Sequence, residues 1–304
     1  MHNNLLEQVT LDQGTRNLRR REKTQEITMT ILAVGAAGRF AGNVIPALAQ
    51  RNARVRGFVR KPEEIAQVRE HGAAETAVGD LRDRASLDAA LKDIEAVFYI
   101  APAFMAEEAE VGKGLVNAAI RAGVRRLVFS SVIHPVLSVL GNHIAKAPVE
   151  EAILTSKLEY TFLHPSRFYQ NYEAFWPKVI ETGVLAEPWS AETRFSLVDY
   201  RDIAEVAAIA LTEDRLLYGT FELCAPGWHN RHDVVTLLGE VLGREIRERR
   251  DPGVLGEVGP GQRTMFEHYD HYNLLGNPLT LRAILGHEPR SLKVFFEELA
   301  ARAR

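Results

Sequence analysis

Cysteine is nearly absent from this chain of 304 residues, which contains only Cys224. A single cysteine excludes a disulfide framework within the chain and is typical of a reducing compartment, so we expect a cytoplasmic protein. Cys224 lies in the apolar run GTFELCAP. That setting favours a buried side chain over a reactive nucleophile.

The sequence also lacks long apolar runs and any excess of positive charge. No apolar segment approaches the roughly 20 residues needed to cross a bilayer. The formal net charge is −3 and the sequence pI is about 6.4. Because bulk basicity is missing, neither a nucleic acid nor a membrane surface is an expected partner.

Metal-ligand patterns are missing as well. The ten histidines show no ligand spacing beside cysteine or paired carboxylates. HYDHY, residues 268–272, is the nearest thing to a cluster, and its two histidines are spaced i, i+3. No metal site is predicted.

The first 28 residues are polar, charged and without an apolar signal core. Such a segment cannot bury enough apolar surface to order itself. We expect residues 1–28 to form a disordered head, or to be an upstream extension of a protein that starts at Met29.

From Met29 onward, short apolar strand patterns alternate with helical patterns. Repeated strand–helix–strand units predict an α/β fold, a doubly wound parallel sheet of the Rossmann type. We expect residues 29–183 to form this domain, with 199–224 returning to its sheet. Residues 184–198 and 225–304 are expected to form a smaller α/β lobe that binds the substrate.

Several local patterns make predictions about single elements. The stretch 142–155 predicts one helix, and the aromatic-rich stretch 167–183 predicts another. Asn230 is a plausible N-cap for a helix that follows it. The stretch 251–261, rich in glycine and proline, predicts a loop.

The segment GAAGRFAG, residues 35–42, follows the first strand pattern and opens the first helix. Gly35 permits a tight turn, and Gly38 lets the backbone approach a pyrophosphate. The helix N-terminus then offers free N–H groups to phosphate. The spacing is GxxGxxA, and the Gly-Lys-Ser/Thr end of a P-loop is missing. The segment predicts a dinucleotide site, with a ligand-free turn as the alternative.

The residues at the end of the second strand indicate which of the two nicotinamide nucleotides is bound. An NAD site there offers a carboxylate to the ribose, whereas an NADP site offers a cation to the 2′-phosphate. Here Arg60 and Lys61 occupy the place. A guanidinium can hold a phosphate with two hydrogen bonds, so NADP (as NADPH) is the predicted cofactor.

Several stretches stand in the order and spacing of one known family: VGAAGRFAG, FVRKPE, GDLRDRASLDAAL, VFYIAP, GVRRLVFSSV, HIAKAPVEEAI, YTFLHPSRFYQN, FSLVDYRDIAEVAA and LGHEPRSLKVFFEE. With them the chain, from about Met29 to Ala300, resembles the NmrA-like family of atypical short-chain dehydrogenases/reductases. The resemblance implies a Rossmann fold that binds NADP.

The resemblance also implies positions for the phosphates and the adenine. The pyrophosphate would lie along five residues of the first turn: Gly35, Ala37, Gly38, Arg39 and Phe40. Arg60 would take the 2′-phosphate. Asp80 and Leu81 would flank the adenine, although Gly79–Asp80 by itself reads as a turn.

At the other end of the cofactor, Ala101 and Pro102 would pass near the ribose. Lys146 would reach the nicotinamide ribose. The stretch from Pro165 to Phe168 would pass beside the nicotinamide.

Short-chain reductases resembling this fold use a Tyr-x-x-x-Lys pair, in which the tyrosine protonates the substrate oxygen. Lys146 is present here, but Asn142 occupies the tyrosine position. His143 shares a helix face with Lys146 and is a candidate proton donor, with a helix cap or surface histidine as the alternative. Ser130 and Ser131 end the fifth strand, and the sequence shows no base beside them.

Three classes of function remain open. An NADPH-dependent reductase would pass hydride to a quinone, conjugated carbonyl, imine or similar small acceptor, with water, His143 or a cleft tyrosine as proton source. A non-catalytic NAD(P)-binding redox sensor would act through a regulatory protein partner. A nucleotide-sugar or isomerase-like enzyme is disfavoured because oxidation of an alcohol needs the missing base. We predict the reductase; a homodimer stays open.

Overall fold

The computed structural model describes residues 29–102 and 104–303. The predicted head, residues 1–28, lies outside the described residues. The strands are β1 (Thr30–Val34), β2 (Arg54–Val59), β3 (Glu75–Val78), β4 (Ala96–Ile100), β5 (Arg126–Ser130), β6 (Glu159–Pro165), β7 (Arg167–Phe168), β8 (Val184–Glu187), β9 (Leu197–Val198), β10 (Gly219–Leu223) and β11 (Arg247–Arg250).

The α-helices between them are α1 (Ala41–Ala49), α2 (Ile65–Glu70), α3 (Arg84–Ala90), α4 (Glu108–Arg121), α5 (Gly141–Ile144), α6 (Ala147–Leu154), α7 (Trp176–Thr182), α8 (Tyr200–Thr212), α9 (Arg231–Leu242), α10 (Pro260–Tyr269), α11 (Leu279–Leu285) and α12 (Leu292–Arg302). Short 3₁₀ helices span Pro62–Glu64, Tyr169–Ala174 and Pro252–Gly256. None of the described helices is long and apolar enough to span a membrane.

The main sheet has seven parallel strands in the order β10-β6-β5-β4-β1-β2-β3. β1 pairs with β2 on one side and with β4 on the other. The connections therefore reverse direction between β1 and β4, and the carboxyl ends of these two strands form the crevice where such sheets bind ligands. The predicted doubly wound α/β fold is confirmed.

Both faces of the sheet are covered, and β1 shows why. Ile31 and Ala33 point into one core, which α1, α8 and α11 complete. Leu32 and Val34 point into the other, which α3, α4 and α6 complete. A strand buried on both faces must be apolar throughout, which explains the continuous run TILAV.

A third core lies outside the sheet. It includes Tyr169, Tyr172 and Trp176 together with residues of α7, α9 and α12. The aromatic stretch after β6 therefore supplies core side chains, and only Phe168 of it lines the main cleft. Burial in the same core raises the pKa of the Cys224 thiol to about 12, as expected for an inert cysteine.

Two predicted helices differ from the structure. The expected helix 142–155 is split into α5 and α6, since Pro148 has no N–H to donate back to the preceding turn. The expected helix 167–183 begins as strand β7, which pairs with β9, and continues as a 3₁₀ helix before α7 starts. Pairing between distant segments overrides the local pattern there.

The stretch 251–261 holds more structure than the expected loop. A 3₁₀ helix forms at Pro252–Gly256, and α10 starts at Pro260. Proline is well suited to a first helical position because its missing N–H has no partner there in any case. The predicted N-cap Asn230 is confirmed: its side chain accepts a hydrogen bond from the Asp233 N–H at 3.0 Å.

Candidate cofactor and substrate cleft

A cleft of about 490 Å³ opens at the carboxyl ends of β1, β2, β4, β5 and β6. Most of the residues predicted to bind the cofactor line it: Gly35, Ala37, Gly38, Arg39, Phe40, Arg60, Ala101, Pro102, Lys146, Pro165 and Phe168. Sequence positions 35 and 168 thus meet at one site. We call residues 35–41 with Arg60 the glycine end, and Ser131, Asn142, Lys146 and Ser166 the lysine end.

The glycine end is shaped by backbone. Gly35 has φ +71°, a left-handed conformation that a side chain disfavours. The Gly38 N–H donates to the Gly35 carbonyl at 2.8 Å and closes the turn. A Cβ built on Gly38 would lie 3.0 Å from that carbonyl oxygen, so the turn accepts only glycine without moving.

The N-terminus of α1 is open for an anion. It has no side-chain cap and no acidic residue in its first turn. Among the described residues, no hydrogen-bond acceptor meets the backbone N–H groups of Arg39, Phe40 and Ala41. Unpartnered N–H groups at the positive end of a helix are what a phosphate requires, so the turn fits a pyrophosphate.

Arg60 and Lys61 are exposed beyond the end of β2. Glu64 Oε2 accepts hydrogen bonds from both of their backbone N–H groups, each at 3.0 Å. The carboxylate thereby fixes the backbone that carries Arg60. Arg60 and Glu64 line the cleft, whereas Lys61 does not.

Asp80 and Leu81 lie outside the cleft lining. Asp80 Oδ1 accepts a hydrogen bond from the Arg82 N–H at 2.8 Å, and the Asp80 N–H donates to Ser86 Oγ at 3.1 Å. Leu81 packs against the second core. The structure therefore shows a turn at this place, and contact with an adenine stays a prediction.

At the lysine end, Lys146 forms a buried ion pair with Glu108 of α4. Lys146 is 7% exposed and Glu108 is 1% exposed. Burial raises the pKa of the Glu108 carboxyl, and the Lys146 ammonium opposes that shift. The sequence analysis did not single out Glu108, because it stands between two other glutamates, Glu107 and Glu110, in MAEEAEV without a distinguishing pattern.

Two further polar groups at the lysine end are buried without partners. Asn142 Oδ1 and Ser166 Oγ have no hydrogen-bond partner among the described residues, and both residues line the cleft. Buried polar atoms are normally satisfied, so such atoms in a cleft wall fit a polar ligand such as a ribose or a carboxamide. The residues of both ends therefore fit a dinucleotide.

His143 does not line the cleft. It is 1% exposed, and its Nδ1 lies 3.2 Å from the His134 carbonyl, to which it donates. Burial lowers the pKa of His143 to about 4, so the ring is neutral at pH 7. Its proposed role as proton donor stays untested, and its placement gives it no direct path to the cleft.

A polar cluster behind the cleft escaped the sequence analysis. Ser131 Oγ donates to Glu150 Oε1 at 2.5 Å, and His164 Nε2 lies 2.9 Å from the same oxygen. Ser131 lines the cleft. The three residues stand far apart in the chain, and no local spacing marks them as a group.

A second cavity of about 460 Å³ adjoins the lysine end. Asn142 lines both spaces. The remaining walls come from the segment after β4, from α5 and from the start of α10: Phe104, Met105, Ala106, Glu108, Gly141, Ala145, Gly259, Pro260, Gly261 and Gln262. Within the described residues, no cluster of three histidine, cysteine, aspartate or glutamate side chains has the arrangement of a metal site.

A doubly wound parallel sheet whose switch point carries an anion-ready glycine turn defines a dinucleotide-binding protein of the Rossmann type. Comparison with known families then gives the particular group. The model of the NmrA-like family matches residues 27–270. The chain belongs to the NmrA-like family, which confirms the resemblance seen in its motifs.

Similar proteins include reductases and, in fold, a regulator. The chain is 28% identical to an NAD(P)H azoreductase of Xenophilus azovorans over 222 residues, 71% of this chain and 75% of the relative. The NADPH-dependent quinone oxidoreductase of Escherichia coli in complex with NADPH superposes with a TM-score of 0.79, covering 90% of this chain and 100% of that one at 22% identity. NmrA, a negative transcriptional regulator in complex with NADP, has a TM-score of 0.72 at 18% identity, covering 90% and 95%.

Proposed function

We propose that this protein is an NADPH-dependent reductase that transfers hydride to a quinone, azo compound, imine, conjugated carbonyl or similar small acceptor. The coarser class, an NAD(P)H-dependent oxidoreductase of the NmrA-like type, follows from the family and the reductase relatives and agrees with the sequence prediction. One observation carries the proposal: a single cleft joins an anion-ready glycine turn to a buried lysine and two unpartnered polar groups.

The chain's own residues divide the binding of the cofactor between them. The N–H groups of residues 39–41 would hold the pyrophosphate, and Arg60 would hold the 2′-phosphate. Lys146 would hold the nicotinamide ribose, while Pro165 and Phe168 would flank the nicotinamide. When bound in this way, NADPH supplies a hydride from its nicotinamide C4.

The acceptor would extend from the lysine end of the main cleft into the second cavity, which meets that cleft at Asn142. Its far wall belongs to the segment we propose as the substrate lobe, residues 184–198 and 225–304. Phe104 and Met105 supply an aromatic and a thioether surface to that cavity, which suits a flat conjugated molecule. Asn142 cannot act as the acid of a Tyr-x-x-x-Lys pair, so the proton must come from elsewhere.

The function is tested with the purified protein in two steps. NADPH and NADH are titrated separately, and NADPH oxidation is then followed with a panel of quinones, enones, imines and dyes. We expect tighter binding of NADPH and oxidation that requires an acceptor. If neither NADPH nor NADH binds, the assignment of the glycine end is refuted.

The second candidate is a redox sensor that binds NADP without turnover and acts on a protein partner. Asn142 in the tyrosine position favours it, as does the similar fold of a transcriptional regulator that binds NADP. Tight NADPH binding with no oxidation across the whole panel would support the sensor and exclude the reductase. The partner would then be sought with NADP-loaded and NADPH-loaded protein.

A further inference from the structure

A line of buried polar groups leads from the lysine end into the protein. Ser131 Oγ donates a hydrogen bond to Glu150 Oε1, and His164 Nε2 approaches the same carboxylate oxygen from the other side. Ser131 is 6% exposed, and the side chains of Glu150 and His164 are 14% and 12% exposed. A hydroxyl in the cleft wall is thus connected to a carboxylate and an imidazole.

The sheet register produces this arrangement. Ser130 of β5 pairs with Leu163 of β6, so Ser131 and His164 follow side by side. The Ser131 N–H donates to the Leu163 carbonyl at 2.9 Å and extends the strand pairing by one residue. α6 lies over this face of the sheet through Val149 and Ile153, which places Glu150 above both strands.

Other groups of the cleft wall are less suited to deliver a proton. Asn142 carries no acidic proton, and the Lys146 ammonium is tied to Glu108. The guanidinium groups of Arg39 and Arg60 do not dissociate in proteins. Ser166 Oγ has no hydrogen-bond partner among the described residues, so nothing behind it could replace a proton that it gave away.

We propose that Ser131 is the proton-donating residue of this reductase and that Glu150 and His164 form the relay that resupplies it. This inference rests on the reductase function proposed above. After hydride has reached the acceptor, Ser131 gives its hydroxyl proton to the acceptor atom that carries the negative charge. The Ser131 hydroxyl, which donates to Glu150 Oε1 in the structure, turns toward the acceptor for this step, while Glu150 takes a proton from His164 Nε2 and then gives it to Ser131 Oγ. His164 then takes up a proton from solvent.

The balance is one hydride from NADPH and one proton from the relay for each acceptor reduced. Acceptors differ in whether they need that proton. An azo dye such as methyl red becomes a strongly basic nitrogen anion when it takes up hydride. The N-methylacridinium ion is a cation that becomes neutral with hydride alone, so its reduction needs no proton donor.

The experiment compares these two acceptors in the full-length protein. We expect Ser131→Ala and Glu150→Gln to lower kcat with methyl red about 100-fold. With N-methylacridinium the same variants should lose far less of kcat, so the ratio of the two kcat values separates loss of the proton donor from damage to the cleft. Ser131→Thr, which keeps the hydroxyl, should restore turnover of methyl red.

Ser130→Ala is the matched control, because the substitution removes the same group one residue earlier in the chain. Successive side chains of a strand point to opposite faces, so Ser130 points away from the face that carries Ser131. It should leave both acceptors unaffected. Equal losses with both acceptors would show a structural role for Ser131, and no loss with either would remove it from the reaction; both results overturn the relay. Wild-type turnover of N-methylacridinium with no neutral acceptor reduced would also overturn it. No NADPH oxidation with any acceptor would instead refute the reductase function itself.

Discussion

The two ends of the cleft are built from different parts of the chain. The glycine end consists of backbone N–H groups from one short turn and of exposed arginines, all within residues 35–60. The lysine end consists of buried side chains brought together over long separations, such as Lys146 with Glu108, 38 residues apart. The turn at the glycine end binds its ligand through backbone N–H groups and can be recognised in the sequence. The buried side chains of the lysine end come together only in the folded protein.

The difference also predicts different consequences of mutation. Charges at the glycine end are solvated, so removing one should affect the ligand and leave the fold intact. Charges at the lysine end are buried, so removing one leaves its partner unpaired and weakens the fold itself. Four substitutions test this contrast.

The largest effect is expected from Lys146→Met. Loss of the ammonium leaves Glu108 buried without its cation, which should lower the free energy of unfolding by about 3–5 kcal/mol near pH 8. Burial already raises the pKa of Glu108, and removal of Lys146 would raise it further. A carboxyl with a raised pKa loses stability as the pH rises, so the penalty should shrink toward pH 5. Urea unfolding at both pH values measures it.

Lys113→Met is the control for that measurement. Lys113 lies on the same helix as Glu108 and pairs with Glu110 at the surface at 2.6 Å. Its loss should cost less than about 1 kcal/mol at either pH. An equally small, pH-independent effect of Lys146→Met would show that the buried pair is not what stabilises the lysine end.

Arg60→Ala should come next and act on the ligand alone. A lost charge-assisted contact to the 2′-phosphate should weaken NADPH binding about 10- to 100-fold and leave NADH binding nearly unchanged. Lys61→Ala should do less, since Lys61 does not line the cleft. Fluorescence titration with both nucleotides provides the measurement, and Arg84→Ala on α3 serves as a control arginine outside the cleft. Equal loss for the two nucleotides would refute the assignment to the 2′-phosphate.

Gly38→Ala should weaken both nucleotides together. The new Cβ meets the Gly35 carbonyl oxygen at 3.0 Å, so the turn must open and its N–H groups must move. We expect roughly tenfold weaker binding of NADPH and of NADH, equivalent to about 1.4 kcal/mol. Gly114→Ala is the control, because a Cβ there meets no atom within 4 Å. A change in selectivity between the nucleotides would contradict the backbone role.

The smallest effect on activity is expected from His143→Gln. Burial lowers the pKa of His143 to about 4 from 6.5, so its charge does not change where enzymes are usually assayed. The pH profile of kcat/KM between about pH 5.5 and 8 should keep its shape. The unfolded protein binds the proton more readily, so wild type should lose stability as the pH falls from 6.5 to 4. The variant should lose less stability over that pH range. If a pKa disappears from the kcat/KM profile of the variant, His143 is a proton donor after all.

The sequence predicts the residues of the glycine end better than those of the lysine end. Gly35, Gly38 and Arg60 could be read from their neighbours, because a turn after a strand and the end of the next strand are local features. Glu108 could not be read, since Glu107 and Glu110 beside it are exposed and only packing against Lys146 distinguishes it. The sequence showed Ser131 at the end of the fifth strand but no base beside it. Glu150 and His164 reach Ser131 only through strand register and the position of a helix.

The same limit explains the elements that differ. A single proline, Pro148, divides a helix whose apolar pattern continues through it. The strand β7 exists because β9 lies beside it. β8 pairs with β11, in which Arg247 lies 63 residues after its partner Val184. Pairings of this kind carry no signal in either segment alone.

Hydride transfer from the cofactor is the central claim, and isotopic labelling tests it most directly. NADPH carrying deuterium on one or the other face of nicotinamide C4 is incubated with the protein and N-methylacridinium, and the product is analysed by mass spectrometry. The account predicts that one of the two labelled cofactors, and only one, delivers its deuterium to carbon of the product. NADPH that binds tightly yet delivers no deuterium from either face would contradict it and identify a sensor.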